Sequence, residues 1–112
     1  MAERRWTLSG ACEIFPEMRE RTARAVESAE ALVSEREEFP EDSTRREELA
    51  GRIQAGVSRW VREMEALGLE VKGVWLVDFD TGGGCYCWKW PEESLDYFHT
   101  YEEGFAGRSR IQ

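Results

Sequence analysis

The chain is 112 residues long with a formal net charge of -8, which suits one domain and is too short for a multidomain enzyme. Its 41% hydrophobic and 12% aromatic content, set against 34% charged residues, excludes intrinsic disorder and marks a folded domain. The acidic excess sits in both halves, 15 acids against 11 bases in residues 1–68 and 8 against 4 in residues 69–112, so neither offers the basic footprint that nucleic acid or an anionic membrane demands.

Near the start, Met1-Ala2-Glu3-Arg4-Arg5-Trp6 is charged and no apolar run follows it, so a secretory signal and a membrane span are not expected. Cys12, Cys85 and Cys87 form an odd set without framework spacing, which suits free thiols in a reducing compartment, and the expected location is the cytoplasm.

Apolar residues then recur at helical steps of four and three: Ala11, Phe15, Met18, Thr22, Ala25, Ala29 and Leu32. The spacing predicts a first helix over 7–38, with Thr7 as its N-cap and Pro16, which lacks a backbone N–H, bending or restarting it near Phe15. Phe39-Pro40-Glu41-Asp42-Ser43 breaks the pattern as a turn. Thr44-Arg45-Arg46-Glu47 reads as a capping box opening a second helix over 44–67, with the stripe Leu49, Ile53, Val57, Trp60, Met64 and Leu67 and a glycine stop at Gly68. Two long helices joined by a short link predict an antiparallel hairpin.

Beyond Gly68 the period changes to strands. Val74–Phe79, Cys85–Trp90 and Leu95–Thr100 are β-branched and aromatic runs separated by Asp80-Thr81-Gly82-Gly83-Gly84 and Pro91-Glu92-Glu93-Ser94, which predicts a three-stranded antiparallel meander over 71–100 and an irregular tail over 101–112. The expected fold class is α+β, a helical hairpin followed by that meander. If the turns simply close hairpins, Phe79 faces Cys85, Trp90 faces Leu95 and Lys89 faces Asp96. One sheet face then carries Trp75, Val77, Phe79, Cys85, Cys87 and Phe98; the other carries Val74, Leu76, Trp88, Trp90, Leu95 and Tyr97. Two apolar faces need two covers. The helices supply one, and a second subunit is the economical choice for the other, which points to a homodimer through Trp75, Val77, Phe79 and Phe98.

Val77-Asp78-Phe79, Cys87-Trp88, His99 and Gly104-Phe105-Ala106-Gly107-Arg108, together with Trp6-Thr7-Leu8, Ala11 and Phe15-Pro16, carry a resemblance. Over nearly its whole length the chain resembles the bacterial domain of unknown function family 2203. The resemblance implies an N-terminal helical pair and a short aromatic-rich C-terminal segment, and it implies no activity.

The expected register places Asp78, Tyr86 and His99 in one row, with Arg108 near it in the tail. A carboxylate orienting an imidazole suits general acid or base work, and an arginine could hold an anion; a purely structural polar network has the same composition. Cys85 and Cys87, one residue apart and expected on the face opposite His99, argue for small core residues, with no metal and no cofactor. Gly82-Gly83-Gly84 lacks the following helix of a phosphate cradle, and the aromatic cluster lacks the interleaved bases of a nucleic-acid platform. Sequence alone thus favours a non-enzymatic, self-associating binding or adaptor module. The alternative is a small-molecule-binding protein or enzyme built on Asp78, Tyr86, His99 and Arg108.

Overall fold

A computed structural model describes residues 4–112, and the charged start at residues 1–3 lies outside it. Helix α1 spans Leu8–Arg36 and helix α2 spans Thr44–Ala66. Thr7 caps α1 by accepting the Gly10 N–H at 3.0 Å, as expected. Pro16 neither ends nor restarts the helix, which continues to Arg36. The cap of α2 is Ser43, one residue before the expected Thr44, accepting the Arg46 N–H at 3.0 Å. Two adjacent hydroxyls compete for this role, and Ser43 has the extended backbone a cap requires, with φ -78° and ψ 144°.

At the far end of α2, Gly68 has φ 92°. The Leu69 N–H reaches the Met64 carbonyl and the Gly68 N–H reaches that of Glu65, the paired bonds of a left-handed helix stop that favours glycine. The helices pack antiparallel through Met18, Thr22 and Val26 on α1 and Leu49, Trp60 and Met64 on α2, all buried. The 29 residues of α1 reach about 43 Å, which accounts for the long dimension of a 49 × 28 × 23 Å molecule.

The sheet has five antiparallel strands in sequential order, not three: β1 (Glu70–Gly73), β2 (Leu76–Asp80), β3 (Cys85–Lys89), β4 (Tyr97–His99) and β5 (Ser109–Arg110). The apolar run expected as one strand from Val74 is broken at Trp75, whose φ of 62° turns the chain. Its indole settles edge-on against Trp60 with ring centroids 4.9 Å apart. The tail is not wholly irregular either. A 3-10 turn at Phe105–Gly107 carries it back, and β5 pairs Arg110 with Tyr97 and Ser109 with Phe98.

Register differs from expectation by one residue on both sides of β3. Asp80, not Phe79, faces Cys85, and Phe79 faces Tyr86; across the next pair, Cys85 faces His99 and Cys87 faces Tyr97. The first shift has a local cause. Thr81 donates its N–H to the Gly84 carbonyl at 2.8 Å, and the Asp80 carboxylate accepts the Gly82 N–H at 2.9 Å, so the loop closes over four residues and keeps Asp80 in the ladder. The expected Lys89–Asp96 pair does not form. Lys89 N–H donates to Glu92 at 3.0 Å and Asp96 accepts from Ser94 at 2.7 Å.

A shift of one residue moves side chains to the other face. Val77, Phe79 and Trp88 now share the inner face with Tyr86 and join Trp6, Met18, Trp60, Met64 and Leu69 in the core. Val77 and Phe79 are fully buried there, Trp75 packs on Trp60, and Phe98 lies edge-on to Tyr86. The surface expected for self-association, Trp75, Val77, Phe79 and Phe98, is therefore largely taken up by the chain's own packing. The outer face is mixed: Leu76, Cys85, Cys87 and Tyr97 share it with Asp78, Asp80, Lys89 and His99.

Candidate functional site

The site is built on three strands of this outer face. Asp78 lies in the middle of β2 directly across from Cys87 on β3, while His99 ends β4 across from Cys85. Asp78 and His99 thus stand on the two strands that flank β3, two residues out of row, and their side chains meet across it. The His99 Nε2 lies 3.0 Å from the Asp78 Oδ2, and both residues are buried.

The other imidazole nitrogen, Nδ1, lies 2.8 Å from the carbonyl oxygen of Thr100. A carbonyl only accepts, so Nδ1 carries a hydrogen, and the ring offers Asp78 either a second N–H or a lone pair. One hydrogen bond of ordinary length, 3.0 Å, thus joins Nε2 to the Asp78 Oδ2. The second carboxylate oxygen of Asp78, Oδ1, is buried without a hydrogen-bond partner among the described residues. An unpaired buried carboxylate oxygen is costly, and its presence calls for an explanation.

Cys87 completes the cluster. Its sulfur, an Asp78 oxygen and a His99 nitrogen all lie within 4.8 Å of one another, and the three residues are buried. The reason for discounting the cysteines, their placement opposite His99, is overturned by the register. Burial pushes the Cys87 thiol up to about 12, with Asp78 adding to the effect and Arg108 opposing it. Burial does the same to Cys85, also to about 12, reinforced by Asp78, Asp80 and Glu70. Thiols held protonated in this way are poor nucleophiles, so cysteine-based covalent catalysis does not fit the site.

A pocket of about 310 Å³ opens above Asp78, Cys85 and His99, walled by Glu70, Lys72 and Leu76 on one side and Tyr101, Gly104 and Phe105 on the other. Lys72 pairs with Glu70 at 3.2 Å, which leaves the Asp78 carboxylate to set the character of the floor. Tyr101 is fixed on the rim by donating its hydroxyl to Asp80 Oδ1 at 2.6 Å.

Two expected site residues behave differently. Tyr86 is on the inner face, opposite Phe79, and takes no part. Arg108 comes near, with Nη1 4.0 Å from the Cys87 sulfur, but its two terminal nitrogens, Nη1 and Nη2, bind the Glu92 carboxylate. Its plane lies between the rings of Tyr97 and Phe105, 4.0 and 4.3 Å away. So engaged, it anchors the tail, and what it has left to offer faces the Cys87 sulfur, not the pocket.

Sequence reasoning missed Cys87, Tyr101 and Glu92. The alternation of Cys85 and Cys87 signals that they share a face, but only the register says which one. No helix among the described residues is long and apolar enough to cross a membrane. No curated protein and no solved structure matches the chain. A family model described as "uncharacterized conserved protein (DUF2203)" matches residues 4–111, and the chain belongs to that family.

Proposed function

We propose that the protein is a small-ligand-binding module whose pocket on the outer sheet face takes a cationic group. The observation that supports this reading most directly is the buried Asp78 carboxylate beneath the pocket, whose Oδ1 has no hydrogen-bond partner among the described residues. A cation or a strong hydrogen-bond donor satisfies that oxygen, whereas a carboxylate or phosphate would meet the Asp78 carboxylate with the one lining cation, Lys72, already paired to Glu70. Leu76 and the Phe105 ring suit a short apolar stem behind the charged head. The alternative reading of the sequence, a polar site around Asp78 and His99, is thus favoured in a revised form, without Tyr86 and with Arg108 in a supporting place.

The expectation of a homodimer rests on two apolar sheet faces, and the site itself speaks neither for nor against a second subunit. An adaptor role keeps no specific support from the site.

Thermal melting with methylammonium and n-butylammonium, set against acetate and butyrate at equal ionic strength, tests the proposal. The ammonium ions should raise the melting temperature and the carboxylates should not. In Asp78→Asn the response should vanish even if the variant melts lower. Stabilisation by the carboxylates alone would overturn the reading.

A further inference from the structure

We infer that Asp78, Cys87 and His99 form a site for a thiophilic divalent metal ion of the zinc class. This inference rests on the reading of the pocket as a cation site and names the cation. The donor set is one sulfur, one imidazole nitrogen and one carboxylate oxygen. Magnesium and calcium prefer all-oxygen surroundings, whereas zinc accepts this mixture in a tetrahedral arrangement.

The dimensions fit after a small contraction. Bonds of about 2.0–2.1 Å to nitrogen and oxygen and about 2.3 Å to sulfur put tetrahedral donors roughly 3.3–3.6 Å apart. His99 Nε2 and Asp78 Oδ2 are already 3.0 Å apart, and the whole set lies within 4.8 Å. Side-chain rotations moving donors by about 1 Å complete the geometry.

Independent features around the donors point the same way. His99 Nδ1 is committed to the Thr100 carbonyl, the outer hydrogen bond that directs Nε2 as a lone pair toward a metal. Arg108 Nη1, 4.0 Å from the Cys87 sulfur, is placed to donate to a thiolate, while Glu92 cancels its charge toward the incoming cation. The Asp78 Oδ1 accepts no hydrogen bond among the described residues. One thiolate and one carboxylate neutralise a dication in a buried setting where an uncompensated charge would be expensive. Three protein donors leave a fourth position, and the pocket that Asp78 and His99 line is the side from which water or a ligand group reaches it.

The proton balance follows from the same contacts. As the metal–sulfur bond forms, the Cys87 S–H bond breaks and its proton passes to solvent. The hydrogen that joins His99 Nε2 to Asp78 Oδ2 passes to solvent as well, which frees both atoms to bind the metal. No oxidation or reduction is involved.

The test uses the reduced full-length chain, stripped of metal and titrated with zinc or with cobalt(II), whose bond to a thiolate gives a charge-transfer absorption. Zinc should raise the melting temperature where calcium and magnesium do not, cobalt should show the thiolate band, and weakly buffered solution should acidify on binding. Cys87→Ser should lose the band and weaken zinc binding beyond the roughly 10–100-fold typical of outer-sphere changes. Cys85→Ser, equally buried on the same strand, should keep the band and shows whether loss of a buried thiol by itself unfolds the sheet.

A wild-type chain that answers to alkylammonium ions but to neither zinc nor cobalt would overturn the metal assignment and leave the cation pocket standing. A chain that answers to none of them overturns both. A cobalt band that survives Cys87→Ser and disappears in Cys12→Ser would place the ion on the exposed surface cysteine, which also overturns the assignment.

Discussion

The Trp60 indole N–H donates to the Thr22 hydroxyl at 2.8 Å, joining α2 to α1 where both residues are buried. Thr22 in turn donates to the Met18 carbonyl at 3.0 Å, so its hydroxyl both donates and accepts and is held in one rotamer. Thr22→Val preserves shape but leaves the indole N–H unpaired, which should cost about 1–3 kcal/mol in urea unfolding. Adding Trp60→Phe removes the orphaned donor, so the double variant should lose less than the two single losses combined. Additive losses would mean that the two side chains are energetically independent.

Arg108 closes the tail over the outer face through Glu92 and the rings of Tyr97 and Phe105. Glu92 is itself fixed: its carboxylate accepts the Lys89 N–H at 3.0 Å, and its carbonyl accepts the Trp88 indole N–H at 2.8 Å and Arg19 at 3.0 Å. Arg108→Lys keeps the charge and loses both the fork and the stacking, which should loosen the tail by about 1–3 kcal/mol. Limited proteolysis should then cut within residues 101–108 while the helices remain intact. Unchanged cleavage would show that β5 pairing alone retains the tail.

The helices were legible because their apolar stripes and caps are local signals: Thr7, Gly68 and the Leu49–Leu67 stripe needed no tertiary information. The strands were less so. Three consecutive glycines, Gly82 to Gly84, accommodate a loop of four residues as easily as one of five, and the choice between them decides every face. One residue of slip on each side of β3 adds to two between β2 and β4, an even number, so Asp78 and His99 leave their common row but still share a face as the sequence suggested. The middle strand has no such compensation, and Tyr86 gives way to Cys85 and Cys87. Strand β5 escaped because Ser109–Arg110 is too short to show alternation. The break before β2 escaped because nothing in the residue type marks Trp75 for a left-handed backbone.

Asp80 links pH to stability. The Tyr101 hydroxyl, the Gly82 N–H and Arg5 hold its carboxyl below the usual carboxylate range. A carboxyl whose folded pKa is depressed contributes stability that is fully present above its unfolded value of about 3.9 and is lost as pH falls through the folded value. Tyr101→Phe removes the largest of these contacts. The variant should therefore be less stable than the parent at pH 7, with the gap narrowing as pH drops below about 4. Urea midpoints measured from neutral to acid pH read this directly, and a gap independent of pH would assign the loss to packing instead.

The cysteines should divide by burial. Cys12 is exposed on α1, whereas Cys85 and Cys87 are buried with thiols pushed up to about 12. At pH 7.5 a thiol of that kind is ionised to the order of 10⁻⁵–10⁻⁴, and the thiolate is the reacting species. Iodoacetamide should therefore modify Cys12 in the native chain and reach the other two only after unfolding in guanidinium, as peptide mapping by mass would show. Rapid native labelling of Cys87 would mean that the outer face opens readily, and in that case neither the buried Asp78–His99 contact nor the wall formed by Phe105 persists long enough in solution to select a ligand.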